Sequence, residues 1–241
     1  MKKFLITLSL IIVILLLITG GIAAYFGFIP GLSNTLVKQV DLGIENDPQL
    51  SLDLRNKTGV QFNIPEEEFP INKDVVYEGV LEIEESLTSE QVTSILNTVK
   101  TQHSTIPFSN VQIRINEDGT SEASFNLNIE TTVNEARKLG YTEEQIENGK
   151  KYLGALGDSV YIYTKLSFDI QNDVLMVNPY AFRIQNFNVP TAITEMVAEV
   201  GSRAIENRLS QVTNLSIDSL KQEGDRLNFK GTIPQSIRTV D

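Results

Sequence analysis

An uncharged run near the N-terminus constrains this chain more than any other feature. Residues 4–29 contain no Asp, Glu, Lys or Arg over 26 positions, FLITLSLIIVILLLITGGIAAYFGFI. As an α-helix the run is ~39 Å long, enough to cross a ~30 Å hydrocarbon core with some tilt. Only a helix satisfies every backbone amide within hydrocarbon over such a length. We therefore expect a single transmembrane anchor at residues 1–30, which contacts the bilayer through residues 4–29.

The residues that flank the run predict its orientation. Lys2 and Lys3 precede it, and positive charge is retained on the cytoplasmic side. We expect a single-pass protein of the cell membrane, with a cytoplasmic N-terminus and an extracytoplasmic domain. A cleaved signal peptide is the alternative, with weak small-x-small sites ending at Ala23 and Ala24. Its apolar core is usually ~7–15 residues, so the length of this run favours a retained anchor.

Charge and cysteine content exclude several classes of function for the rest of the chain. Two of the 20 basic residues precede the anchor, so 18 basic residues face 31 acidic residues beyond it, a formal charge of −13. A polyanion would be repelled by such a domain, so we expect no nucleic acid partner. The chain has no cysteine, which excludes disulfides, thiolate chemistry and a lipid-modified cysteine. The protein partner, if one exists, is not indicated by the sequence.

The part beyond the anchor divides into two regions by periodicity. Residues 31–73 are poorly periodic and rich in proline, which predicts a juxtamembrane segment with short strands; alternating Leu50, Leu52 and Leu54 indicate one of them. Residues 74–241 carry regular patterns. Alternating apolar residues predict strands near 75–83, 111–115, 123–129, 160–170, 174–187, 215–220 and 227–231. Pro179 would need a bulge or an edge position within its strand.

Helix caps and turns mark the boundaries of the predicted elements in residues 74–241. The capping boxes Thr88–Gln91 and Thr142–Gln145 each predict the start of a helix. Residues 192–212 predict the longest helix, with an apolar stripe. Asp118-Gly119 predicts a hairpin with a type I′ turn, and Asn172-Asp173 predicts a second hairpin. The fold class predicted is α+β: an N-terminal transmembrane helix, then long curved antiparallel hairpins packed on a long C-terminal amphipathic helix.

The sequence offers little for catalysis. His103 is the only histidine, so a histidine-based metal site is excluded and a Ser-His-acid triad would depend on this residue alone. No Gly-x-Ser-x-Gly elbow or phosphate-binding glycine loop occurs. We expect no enzyme activity, no metal and no cofactor.

The order of elements resembles that of tubular lipid-binding (TULIP/SMP-like) domains, and more closely that of small membrane-anchored envelope proteins related to them. The resemblance spreads over most of residues 40–234. It is carried by these segments: Val40 to Ile44, Leu87 to Gln91 with Asn97, Val111 to Asn116 leading to Asp118-Gly119-Thr120, Asn188-Val189-Pro190, and Leu227 to Pro234. The resemblance implies that residues 74–241 form an elongated fold, in which a curved sheet wraps a long helix around a groove for lipid, and it supplies no catalytic residues.

Two functions follow as hypotheses. The first is an extracytoplasmic domain that binds a lipid or lipid-linked molecule in a hydrophobic groove. The alternative is a membrane-tethered structural or protein-interaction module with a filled core and no ligand. The predicted lipid-facing residues are aliphatic positions on two amphipathic helices: Val92, Ile95, Val99, Ile193, Val197, Val200, Ala204 and Leu209.

Overall fold

The computed structural model describes residues 37–63, 75–102, 106–138, 140–147 and 157–239. The predicted transmembrane segment at residues 4–29 and the single histidine, His103, lie outside these ranges. Within them, no helix combines the length and the apolar character that a bilayer crossing requires.

Helices and strands alternate irregularly along the described residues. In chain order they are α1 (Pro48–Thr58), β1 (Gln61–Asn63), β2 (Val75–Glu78), β3 (Leu81–Leu87), α2 (Ser89–Gln102), β4 (Phe108–Ile115), β5 (Ser121–Asn128), α3 (Ile129–Lys138), β6 (Ser159–Gln171), β7 (Val174–Ile184), β8 (Phe187–Asn188), α4 (Thr191–Ser210), β9 (Ser216–Glu223), β10 (Arg226–Ile233) and β11 (Ser236–Thr239). A short helical segment over 143–147 lies between α3 and β6.

One antiparallel sheet dominates the fold and forks at β6. Its main path is β3-β10-β9-β6-β5-β4, and β7 and β8 extend it on the other edge of β6. The first part of β6 pairs with β5, whereas its last three residues pair with β9 on the same edge. A smaller sheet has the order β1-β11-β2, with β1 parallel to β11. Ile129, Val160 and Ile162 form a buried core cluster against the β5–β6 region.

The predicted hairpins are confirmed, with one correction to a turn. Asn172 and Asp173 both have positive φ, 49° and 65°, as a type I′ turn requires. In the β4–β5 turn only Gly119 has positive φ, 77°, so the type I′ turn predicted there is wrong. A three-residue loop that ends on a left-handed glycine replaces it. The β6–β7 register skips one residue of β7 next to Pro179, which is the bulge that this proline demands.

The predicted α+β fold, with long curved hairpins packed on a long C-terminal amphipathic helix, is wrong. Strands take 43% of the described residues and helices 31%, and among these residues no long helix lies packed at the centre of the sheet. The helix α4 covers 191–210 rather than 192–212 and contacts chiefly the strand β7. Its apolar residues Ile193 and Val197 are 45% and 37% exposed. A stripe on a helix shows where its apolar residues lie, but not which face the sheet will cover.

The strand predicted at Leu50, Leu52 and Leu54 is also wrong, because these residues belong to α1. The Asp47 side chain accepts a hydrogen bond from the Gln49 backbone N–H, and Pro48 occupies the first turn. Gly59 ends the helix in the left-handed region with φ 79°. A cap at each end fixes a helix here, and Leu52 is left 42% exposed.

The helix α2 covers the free edge of β4 with polar side chains. Its predicted capping box is confirmed: Gln91 N–H donates to Thr88 Oγ1 at 3.3 Å, and Thr88 N–H donates to Gln91 Oε1 at 2.9 Å. Ser89 Oγ, Thr93 Oγ1 and Asn97 Oδ1 accept from the backbone N–H groups of Ile115, Ile113 and Val111 at 3.0, 2.9 and 3.0 Å. Four helical residues rise ~6 Å and two strand residues ~6.6 Å. The spacing of the acceptor side chains on α2 therefore matches the spacing of the N–H groups on the edge of β4.

Candidate ligand-binding groove

An apolar groove opens between α1, α2 and one face of the β3–β10 pair. Its volume is about 340 Å³, which falls within the range of small-molecule sites. Its lining combines helix, loop and strand residues that are distant in sequence: Ser51, Leu54, Arg55, Thr58, Val60, Ile83, Glu85, Leu87, Ile95, Thr98, Phe229 and Ile233. Because the surface of the lining is mainly apolar, the groove is suited to a hydrocarbon group.

The floor of the groove follows from the alternation of β3 and β10. In β3 the residues at odd positions are half-buried and those at even positions are exposed. Antiparallel pairing sets Glu85 opposite Phe229 and Ile83 opposite Gly231, so the inward sets of the two strands form one surface. The β9–β10 register shifts beside Gly231, where a Cβ would lie 2.1 Å from the Ser216 carbonyl oxygen. This close backbone approach requires glycine.

The lining of the groove also contains charged side chains. Arg55 and Glu85 are among the lining residues. Lys57 Nζ donates to Glu85 Oε2 at 2.5 Å, with the Glu85 side chain 16% exposed and that of Lys57 65% exposed. Among the described lining residues Glu85 is the single carboxylate, so the groove brings no pair of carboxylates together for acid–base chemistry. The groove offers a mainly apolar surface with two charged side chains, Arg55 and Glu85, in its lining.

The predicted lipid-facing residues are distributed over three environments. Ile95 lines the groove. Val92 is half-buried outside the lining, and Leu209 is half-buried on α4. Ile193 and Val197 are exposed. The side chains of Val99, Val200 and Ala204 lie outside the described part of the chain.

Most of the groove does not follow from the sequence. The leucine alternation places Leu54 in a strand, and the sequence identifies no partner for Phe229 or Ile233. The alternation of β3 does indicate that Ile83 belongs to an apolar face. What the sequence lacks is the pairing of β3 with β10, whose residues lie about 140 positions further along the chain.

A cluster of polar side chains, separate from the groove, lies within the sheet around the Glu122 carboxylate on β5. Glu122 Oε2 accepts from Arg114 Nε at 2.8 Å and from Arg114 Nη2 at 2.5 Å, and also from Asn116 Nδ2 at 3.3 Å. Glu122 Oε1 accepts from the Tyr163 hydroxyl at 2.6 Å. The Arg183 guanidinium lies 5.4 Å from the centroid of the Tyr163 ring. These contacts join four adjacent strands.

The protonation of this cluster follows from its contacts. Burial opposes the charged form of Glu122, but the hydrogen bonds from Tyr163, Arg114 and Asn116 together outweigh it and lower the pKa of the carboxyl. Burial, followed by the Glu122 carboxylate, raises the pKa of Tyr163 to about 12. At neutral pH the pair is therefore a carboxylate and a neutral phenol, with both carboxylate oxygens occupied. We interpret the cluster as a structural tie between strands.

The described residues contain no group of three or more His, Asp or Glu side chains that could hold a metal ion. Comparison with protein-family models, with curated proteins and with solved structures finds no match to this chain.

Proposed function

We propose that this chain is a single-pass membrane protein whose extracytoplasmic domain binds the hydrocarbon part of a lipid or lipid-linked molecule. The observation that carries the proposal is the groove of about 340 Å³ between α1, α2, β3 and β10, with its mainly apolar lining surface. The role is binding rather than catalysis.

The energetics of the groove favour a hydrocarbon ligand. Each methylene that moves from water into an apolar site contributes about 0.8 kcal/mol. A hydrocarbon chain can therefore offset the cost of immobilisation with few polar contacts. Arg55 and the Lys57–Glu85 pair lie beside the apolar lining, where they can contact the polar end of an amphiphile.

The predicted anchor supplies the second line of support. A domain held by residues 4–29 stays next to a bilayer, and its ligand is then present at high local concentration. The resemblance to tubular lipid-binding domains agrees with a lipid ligand, although the groove here lies between two short helices and a strand pair rather than around a long helix.

The test places a bulky side chain in the groove and compares ligand binding by this variant with binding by a variant that has the same substitution outside the groove. Val60 lines the groove and follows Gly59, whereas Val80 is 54% exposed, follows Gly79 and is not part of the lining. We expect Val60→Trp in the full chain to lose binding of a fluorescent polyene fatty acid, and Val80→Trp to bind as the parent does. Native mass spectrometry of the chain from its host membrane should show a mass of lipid size that is lost from Val60→Trp. Equal uptake by both variants, or no uptake by the parent, would refute the proposal.

The alternative function, a membrane-tethered interaction module, has its own supporting observation. Among the side chains that the structure describes in α4, four large apolar ones are exposed, namely Ile193, Met196, Val197 and Ile205. Such a face is typical of a contact surface. A parent chain that carries no lipid and takes up none would favour this alternative.

A further inference from the structure

The sheet has one end at which the chain enters the domain. The strands β4 to β7 form a meander, so this end holds the starts of β4 and β6 and the ends of β5 and β7. The N-terminus of α4 lies at the same end, because the helix follows the end of β7 through β8. We call it the entry end. The turns at 116–120 and 172–173 lie at the opposite end.

The first described residues place the incoming chain at the entry end. Gln39 Nε2 donates to the Asn110 carbonyl oxygen at 2.6 Å, and Leu42 N–H donates to Gln112 Oε1 at 2.6 Å. The segment thus runs along β4 in the direction of that strand, and Val37, which is 3% exposed, precedes it towards the start of β4. Eight residue steps separate Val37 from Ile29, which span at most roughly 29 Å when extended.

Three exposed apolar side chains lie at the entry end, whereas Val174 and Met176, which are also exposed, lie at the opposite end of β7. Phe187 is the first residue of β8, opposite Ile184 across the tight β7–β8 turn, and is 45% exposed. The helix α4 begins three residues after β8, and its first turns carry Ile193 and Met196, 45% and 57% exposed. The C-terminal half of α4 lies towards the opposite end, since Glu206 Oε1 accepts from the backbone N–H of Leu175 at 3.3 Å.

We propose that the entry end rests on the outer surface of the bilayer, with Phe187, Ile193 and Met196 inserted into its interfacial layer. The inference depends on the anchor in the proposed function, because the short link to residue 29 is what holds Val37 near the membrane. Aromatic and aliphatic side chains are favoured in the interfacial layer. The contact is apolar in kind, since a domain of formal charge −13 gains nothing from an anionic surface.

The absence of tryptophan allows a direct test. The chain contains no Trp, so Phe187→Trp introduces a single indole fluorophore at the entry end. Val174→Trp is the matched control, because Val174 is 59% exposed at the other end of β7, ~33 Å away along the strand. Each full-length variant is placed in bilayers of phosphatidylcholine with brominated acyl chains, which quench indole emission inside the membrane.

We expect bromination to quench Phe187→Trp strongly and Val174→Trp hardly at all. Adding Met196→Glu to Phe187→Trp should reduce the quenching, and replacing part of the phosphatidylcholine with an anionic lipid should not increase it. Equal quenching of the two single variants, or none at position 187, would overturn the inference. The inference would also be overturned if the emission of Phe187→Trp shifted with protein density alone, because such a shift indicates contact with a second copy.

Two controls separate this inference from the function on which it depends. Resistance of the full chain to alkaline extraction reports on the anchor, and fatty-acid uptake by the Val60→Trp and Val80→Trp pair reports on the groove. An anchored, lipid-binding chain without quenching at position 187 refutes only the bilayer contact. A chain released by alkali refutes the anchor, and with it this inference.

Discussion

The helices α2 and α4 carry similar apolar stripes in the sequence, but the structure leaves Val92 and Ile95 of α2 half-buried and Ile193 and Met196 of α4 exposed. In α2 the polar residues Thr93 and Ser94 are fully buried. In α4 the apolar residues Ile193 and Met196 are exposed, and Thr194 between them is 5% exposed. The position of a stripe therefore does not predict which face of a helix is covered.

The neighbours of each helix explain this difference. The helix α2 lies beside the free edge of β4, whose backbone N–H groups need acceptors. Side chains at every fourth position supply them. The edge of β7 is satisfied in another way, because β8 pairs with its end and Glu206 accepts from Leu175. Stability should accordingly depend on polar residues in α2, and little on the exposed apolar residues in α4.

The largest expected effect in this comparison comes from Asn97 in α2. Its side chain accepts from the Val111 N–H at 3.0 Å and donates to the Val111 carbonyl at 2.8 Å. Asn97→Ala leaves two backbone groups without these partners, so we expect the free energy of unfolding to fall by about 2–4 kcal/mol. Asn207→Ala, at an exposed position of α4, should change it by about 0.5 kcal/mol or less. Urea denaturation of the full chain in detergent micelles measures both, and equal losses would contradict the contrast.

The next effect concerns the Glu122 cluster, which ties β4 to the strands behind it. Glu122→Gln weakens hydrogen bonds to a charged acceptor, and we expect a loss of about 1.5–3 kcal/mol at neutral pH. In α4 the matched change Glu199→Gln removes an exposed ion pair with Arg203 and should cost about 0.5 kcal/mol or less.

The contribution of Glu122 to stability should change with pH in the direction set by its pKa shift. Because folding lowers the pKa of Glu122 from 4.5, its contribution is present above pH 4.5 and is lost as the pH falls through the lower folded value. The stability difference between the parent and Glu122→Gln should therefore shrink in acid. A difference that stays constant down to low pH would mean that Glu122 acts by packing alone.

The smallest effect concerns Gly201 in the middle of α4. A Cβ at this position would meet no atom within 4 Å, and glycine in a helix costs about 1 kcal/mol relative to alanine. Gly201→Ala should therefore raise the free energy of unfolding by up to about 1 kcal/mol. Ala198→Gly, one turn earlier, should lower it by a similar amount. A loss of stability in Gly201→Ala would show that this face of α4 is covered after all.

Local chemistry determined much of what could be predicted from the sequence. The capping box of Thr88 and the turn at Asn172-Asp173 depend on residues within four positions of one another, and both are confirmed. The alternation that predicted β4 to β7, β9 and β10 depends on one strand at a time. Of the groove, the sequence identified Ile95, and the apolar face of β3 through Ile83.

Only the tertiary structure decided how these elements combine. It made β6 the fork of the sheet, placed α2 on the edge of β4, and assembled the groove from segments as distant as Leu54 and Phe229. The physical reason is that an apolar side chain gains about the same free energy from any apolar neighbour. Which neighbour it has is set by strand pairing and by the backbone groups that each edge leaves unsatisfied, and these are properties of the whole fold.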